Sequence, residues 1–282
     1  MQRFDRLDAL RAQVARWKRD GARVGFVPTM GNLHDGHHSL VELAGRSADR
    51  VVASVFVNPT QFGPDEDFAR YPRTPERDVE GLAAAGCDAL WLPSVEAMYP
   101  YGAQQAVQVR VPGVTEVLEG AHRPGHFDGV ATVVARLFNQ VLPDVAVFGR
   151  KDYQQLAVIR YLVADLAFPV ELIAAPTRRE ADGLAMSSRN QYLSPAQRAI
   201  APVIHRTLQA MREGVLGGDT RATVEARADA ALREAGFEPD YAVLRRPDLT
   251  EPGDDARDGA RVALIAARLG RTRLIDNLEF EP

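Results

Sequence analysis

Cysteine is almost absent from this chain: Cys87 stands alone. One thiol excludes an internal disulfide framework and any zinc site built on several cysteines, and it suits a reducing cytosol. Long apolar runs are missing too. No stretch approaches the roughly 20 uninterrupted apolar residues that a membrane-spanning helix needs. The opening residues, MQRFDRLDALRAQVARWKRD, are charged throughout and carry no apolar signal core. Nor does one sign of charge dominate. The formal net charge is -4, so nothing global points to nucleic acid or to an anionic membrane. Repeats and low-complexity tracts are lacking, and EPGDDARDG at 251–259 reads as an ordinary acidic loop. These absences predict a cytoplasmic protein with neither a membrane nor a nucleic-acid partner.

What is present is the material of a globular fold. The 282 residues are 46% hydrophobic and 26% charged, enough for one large domain or two ordinary ones. Asp5 is placed to cap a first helix with Leu7, Leu10, Val14 and Trp17 on its apolar face, ended by Gly21. Short apolar strands are expected at 24–27, 51–57, 89–92, 144–149 and 170–175. The run VVASVFV is so apolar and β-branched that both of its faces should be covered, as in a parallel sheet. Between them helices should start near Gly36, at Thr74-Pro75, near Val130 and near 152, while VQVRV at 107–111 alternates like a strand off the main sheet. This alternation predicts an α/β domain with a Rossmann-like, doubly wound parallel sheet. Past Asp182-Gly183 the pattern changes to helices at 195–214 and 219–235, then strands at 241–245, 262–266 and 272–275. That order predicts a smaller α+β domain, 181–282, after a first domain of 1–180.

The chemistry should lie beyond the carboxyl ends of the parallel strands. There PTMGNLHDGH joins a strand to a helix, with Gly31 and Gly36 allowing close backbone approach and the helix start offering free N–H groups to an anion. His34 and His37 are three apart and share a helical face, whereas His38 points elsewhere. Three readings stand side by side: a metal site, a set of core histidines, and hydrogen-bond donors to phosphate. The first lacks a fourth ligand or an HExxH, and the segment is too polar for the second. A dinucleotide fold lacks its GxGxxG. A second cluster, GRKDYQQL at 149–156, should share the same rim, with Lys151 as a compact cation. A third, MSSRN at 186–190, brings two hydroxyls and an arginine suited to polyphosphate. FVNPTQF at 56–62 and EGAHRPGHFDGV at 119–130 present Asn58, Gln61 and Arg123 for a small polar substrate.

Taken in order, VPTMGNLHDGH, FVNPTQF, DFARYPRT, LEGAHRPGHFDGV, FGRKDYQQL, DGLAMSSRNQYLS and RLIDN closely resemble the motifs of the pantoate–β-alanine ligase (pantothenate synthetase) family over nearly the whole chain. The resemblance implies a Rossmann-type domain with a C-terminal lid, a cytoplasmic homodimer, and Mg²⁺ with ATP. It implies condensation of (R)-pantoate with β-alanine to (R)-pantothenate, AMP and diphosphate through pantoyl adenylate, a step of coenzyme A biosynthesis. Carried over residue by residue, Met30, Gly31, Asn32, Leu33, His34, Asp35, Gly36 and His37 would hold ATP. His34 and His37 would meet its phosphates, with His37 the proton donor. Gly149, Arg150, Lys151 and Asp152 would hold the nucleotide, Lys151 bridging pantoate and the α-phosphate. Arg178 would contact the adenine side through its backbone, and Met186, Ser187, Ser188 and Arg189 would cover the β- and γ-phosphates. Gln61 and Gln155 would bind pantoate. Gln61 would also meet β-alanine, with Asn58 and Arg123 as further candidates. No residue is assigned to a metal. Arg150 departs from the family's usual glutamate. Two other classes remain open: a nucleotidylyltransferase that leaves the nucleotide on its product, and a nucleotide- or metal-binding module without activity.

Overall fold

The computed structural model describes residues 1–64, 66, 68–253 and 259–281. The middle of the acidic loop (254–258) and Asp67 of DFARYPRT lie outside them. The chain divides into two compact units: Met1–Arg150 with Gln154–Pro176, and Lys151–Tyr153 with Thr177–Pro282.

The first unit is a parallel sheet with helices between its strands. The strands are β1 (Gln2–Phe4), β2 (Val24–Thr29), β3 (Arg50–Val55), β4 (Ala89–Trp91), β5 (Val145–Gly149) and β6 (Glu171–Ala175), in the order β1-β4-β3-β2-β5-β6. The helices are α1 (Leu7–Arg19), α2 (Asp35–Ser47), α3 (Pro75–Ala84), the short α4 (Val95–Met98) and α5 (Glu119–His122), α6 (His126–Val141) and α7 (Tyr153–Asp165). The central strands are apolar because helices cover both faces; Phe26, Val27, Val52, Ala53, Leu90 and Val147 are all fully buried. α6 is apolar nearly all round and correspondingly enclosed, with Phe127, Val130, Val134, Leu137 and Phe138 buried. Gln140 on its buried face is satisfied, its Oε1 accepting from the Trp91 indole N–H at 2.9 Å. From β2 the chain moves one way through β3 and β4, then returns to the other side of β2 with β5. The order of strands therefore reverses between β2 and β5, which is where open α/β sheets bind ligands.

The second unit contains α8 (Pro195–Ile200), α9 (Val203–Leu216) and α10 (Arg221–Glu234), followed by an antiparallel sheet of β7 (Glu238–Arg245), β8 (Arg261–Leu269) and β9 (Thr272–Phe280). Ile204, Leu208 and Met211 from α9, Val224 and Leu232 from α10, and Leu244, Ile265 and Leu274 from the sheet make its core.

Several expectations need correcting. Asp5 does not cap α1: Arg6 is the cap residue and makes no side-chain cap bond, pairing instead with Asp8 at 2.6 Å. Residues 107–111 form no strand. Val107 is exposed, and the Val109 N–H donates to Thr132 Oγ1 at 2.8 Å, so the alternating pattern finds no strand to pair with. The helix expected over 195–214 is two helices, because Pro202 has no N–H to donate and stands at the break. The strand expected to reach Val57 stops at Val55. α6 starts at His126 rather than near Val130, since Gly125 takes a left-handed turn (φ 79°) and releases the chain into helix at once.

Candidate active site

The loop after β2 is shaped by backbone chemistry. Gly31 (φ 82°) and Asn32 (φ 51°) are both left-handed, so the chain turns sharply after Met30. A Cβ at Gly31 would lie 3.0 Å from Asp78 Oδ2 and from Val55 Cγ1, so only glycine fits without displacement. Asp78, buried in the first turn of α3, accepts from the Asn32 N–H (3.0 Å), the Leu33 N–H (2.8 Å) and Thr74 Oγ1 (2.9 Å). A buried carboxylate with three donors is a fixed anchor, and it holds the loop from beneath.

His34 is the N-cap of α2, and its Nδ1 accepts from the Gly36 N–H at 3.1 Å. His37 Nδ1 accepts from the His34 N–H at 3.4 Å, and the two rings lie 4.1 Å apart at 45°. A ring nitrogen that accepts carries no proton, so in both imidazoles the hydrogen sits on Nε2. Capping thus fixes the tautomer of each ring as an Nε2–H donor at a helix N-terminus, the arrangement an anion requires. Asp35 is exposed beside them and Gly36 supplies the capped N–H. His38 lies apart from the pair, 3.6 Å from Asp35 and packed over Gly81, where an added Cβ would come within 2.3 Å of its Nε2. Among the described residues, no group of three or more His, Cys, Asp or Glu could hold a metal ion.

The carboxyl end of β3 supplies the next group. Asn58 caps a short 3-10 turn, Pro59–Gln61, and is almost wholly buried. Its Oδ1 accepts from Tyr99 Oη (2.6 Å) and Thr60 Oγ1 (3.0 Å), while its Nδ2 donates to Gln61 Oε1 (3.0 Å) and the Gly129 carbonyl (3.2 Å). Asn58 therefore works inward, fixing the amide of Gln61. The Gln61 Nε2 in turn lies 3.1 Å from Met30 Sδ, which brings this residue to the β2 loop. Arg123 is also engaged: it forms a two-pronged ion pair with Glu66 (2.6 and 2.6 Å) and reaches His126 Nε2 at 3.0 Å. Since arginine only donates, His126 Nε2 accepts and its Nδ1–H donates to the Gln61 carbonyl at 2.7 Å. The two residues set beside Gln61 as β-alanine candidates thus also brace it, Asn58 directly and Arg123 through His126.

At the end of β5, Gly149 is half-buried and Arg150 is exposed, its N–H donating to the Ala175 carbonyl at 2.9 Å. Gln155 is half-buried on α7, while its neighbour Gln154 is committed to the Val114 and Val117 carbonyls, both at 2.7 Å. Within the second unit, the Lys151 side chain is 17% exposed and its Nζ stands 3.9 Å from Asp152. Arg178 begins a small hairpin: its carbonyl accepts from the Met186 N–H at 2.9 Å, and Gly183 (φ 92°) makes the turn. Ser187 then caps a 3-10 turn, Ser188–Tyr192, by accepting from the Arg189 N–H at 3.3 Å. Ser188 and Arg189 are half-buried.

A model of the pantoate-beta-alanine ligase family matches residues 2–279. The chain belongs to that family. Among curated relatives it is 69% identical to a pantothenate synthetase of Stenotrophomonas maltophilia (strain K279a), over 99% of this chain and 100% of the relative. It is also similar to the crystal structure of the Thermus thermophilus pantothenate synthetase, with a TM-score of 0.93 and 51% identity over all of both chains. The pantoate-beta-alanine ligase of Francisella tularensis, solved with beta-gamma ATP and beta-alanine, matches at a TM-score of 0.81 and 31% identity, covering 99% of this chain and 97% of that one.

Within this ligase fold, the residues missed by inspection of the sequence are the supports: Asp78, Tyr99 and His126. Asp78 left one trace. It stands four before Leu82 on the buried stripe of α3, an acid where the period calls for an apolar residue.

Proposed function

We propose that this chain joins (R)-pantoate to β-alanine using ATP, through a pantoyl-adenylate intermediate. What supports it most is the pair of Nε2–H imidazoles at the start of α2, beside the reversal of strand order, in a chain of this family. In the first step a pantoate carboxylate oxygen attacks the α-phosphorus. The bond from that phosphorus to the bridging oxygen breaks and diphosphate leaves. The carboxylate is already ionised at neutral pH, so the step needs in-line placement and charge stabilisation rather than a base. His34 and His37 donate to phosphate oxygens whose charge grows as diphosphate departs, and Lys151 and Arg189 add positive charge.

In the second step the β-alanine nitrogen attacks the acyl carbon. The acyl C–O bond breaks, AMP leaves, and the nitrogen loses a proton. Met30 to His37 and Gly149 to Asp152 are assigned to the nucleotide, Arg178 to its adenine side, and Met186, Ser187 and Ser188 to the outer phosphates. Gln61 and Gln155 are assigned to pantoate. The braced Gln61 amide suits a residue that must orient a hydroxyl. We assign ATP and pantoate binding to the first unit and the part of a lid to the second. Mg²⁺ fits as the counter-ion that arrives on the triphosphate, since Mg²⁺ is commonly held by substrate phosphates and water. A cytoplasmic homodimer completes the reading.

The test is ATP–diphosphate exchange with and without pantoate, followed by addition of β-alanine. Pantoate-dependent exchange, then free AMP together with the amide, is the expected result. Retention of the nucleotide on the product would make the protein a nucleotidylyltransferase instead.

A further inference from the structure

RLIDN, residues 273–277, belongs to none of the groups assigned above, yet it is buried in an unusual way. Along β9 the even positions Leu274 and Leu278 face the core of the second unit, so Asn277 lies on the other face with Arg273 and Ile275. Both Asp276 and Asn277 are nevertheless buried. A buried carboxylate and amide in mid-strand are costly unless bonded. Asp276 is held by Arg179 in a two-pronged pair (2.6 and 3.0 Å), and its Oδ1 also accepts from the Asn277 N–H at 2.8 Å. The backbone under Asn277 is therefore fixed. Its side-chain Nδ2 donates to the Lys151 carbonyl at 2.8 Å.

That carbonyl has no regular structure to hold it. Lys151 lies in the turn between β5 and α7, outside any ladder. The Lys151 ammonium has a carboxylate 3.9 Å away, a contact that attracts without setting direction. Two residues on, the Tyr153 hydroxyl donates to the Pro247 carbonyl at 3.1 Å. The segment 151–153 is thus pinned at both ends by the second unit, with Asn277 at the lysine. We propose that Asn277 is a positioning residue for adenylation, holding Lys151 through its backbone carbonyl. This rests on the assignment of Lys151 to the reacting phosphate. Losing the tether leaves the cation chemically unchanged but spreads it over more positions, and misplacement by about 1 Å can cost on the order of 100-fold in rate.

The experiment is a double-mutant cycle on pantoate-dependent exchange with Asn277→Ala and Lys151→Ala, repeated with Asn277→Asp, which keeps the shape and the acceptor but loses the donor. Thermal midpoints are recorded for every variant. In the wild-type background, Asn277→Ala and Asn277→Asp should each lower exchange about 10- to 100-fold. In the Lys151→Ala background they should lower it less than about twofold, as expected of coupled residues. An equal loss in both backgrounds, or no loss from either asparagine variant, overturns the positioning role. Unfolding of both asparagine variants while Lys151→Ala stays folded also overturns it, making Asn277 a folding residue. Near-normal exchange in Lys151→Ala alone instead overturns the assignment of Lys151, and the tether's role falls with it.

Discussion

His126 shows how one side chain is set by its neighbours. It stands between a guanidinium that only donates and a carbonyl that only accepts, so its tautomer is determined. Burial, then the nearby Arg123 charge, pulls its pKa down to about 4. The unfolded chain takes up a proton near pH 6.5 while the folded chain refuses it until about pH 4. Between those values, stability must fall as pH falls, by up to about 1.4 kcal/mol per pH unit. His205, lowered by burial and by Arg179, contributes with the same sign from the second unit. Glu66 acts elsewhere. Burial raises it, but the hydrogen bonds and charge of Arg123 outweigh burial, so its contribution fades only below the ordinary carboxylate range. Denaturant unfolding at pH 7.5 and pH 5.5 should show the wild type losing stability toward the acid side, and His126→Gln losing less. An equal loss in both proteins would show that His126 is already charged in the native state.

At the scale of elements, close approach explains where glycine is required and where it is not. α6 packs on the 3-10 turn Pro59–Gln61 through Gly129, where an added Cβ would lie 2.4 Å from the Thr60 carbonyl oxygen. Backbone cannot yield as a side-chain tip does. Gly129→Ala should therefore destabilise by about 1–3 kcal/mol or more, and raise KM for pantoate as Gln61 shifts. Gly45 is exposed within α2, with nothing nearer than 3.8 Å to an added Cβ. Gly45→Ala should stabilise by roughly 0.5–1 kcal/mol and leave KM alone. Thermal midpoints that moved the same way for both would contradict this account.

Elements were legible in the sequence where burial was two-sided. VVASVFV and DVAVFG announce themselves because most of their positions are buried, whichever face they point to. β1 did not, since QRF is three residues long and joins the sheet only at its edge, beside β4. The candidate site divides the same way. Gly31, Gly36, His34 and His37 could be read from adjacency, whereas Asp78 meets Asn32 across 46 positions and Asn277 meets Lys151 across 126. No local pattern encodes a hydrogen bond over such separations.

For the whole molecule, the chain's path is what matters. It leaves the first unit after Arg150, returns at Gln154 and leaves again after Pro176, so three residues between β5 and the body of α7 are held with the second unit. His34 and His37 depend on caps within the first unit, but Lys151 depends on Asn277 and its surroundings. Loosening the second core should therefore abolish adenylation while the imidazoles stay in place. Leu208, wholly buried on α9, is the residue to truncate; Leu208→Ala should cost about 2–5 kcal/mol. Both tryptophans, Trp17 and Trp91, lie in the first unit, so their fluorescence reports on that unit alone. On heating Leu208→Ala, exchange activity should disappear below the temperature at which tryptophan emission changes, following an earlier loss of far-ultraviolet circular dichroism. Activity that lasted until the tryptophan signal moved would mean that Lys151 keeps its place without the second core.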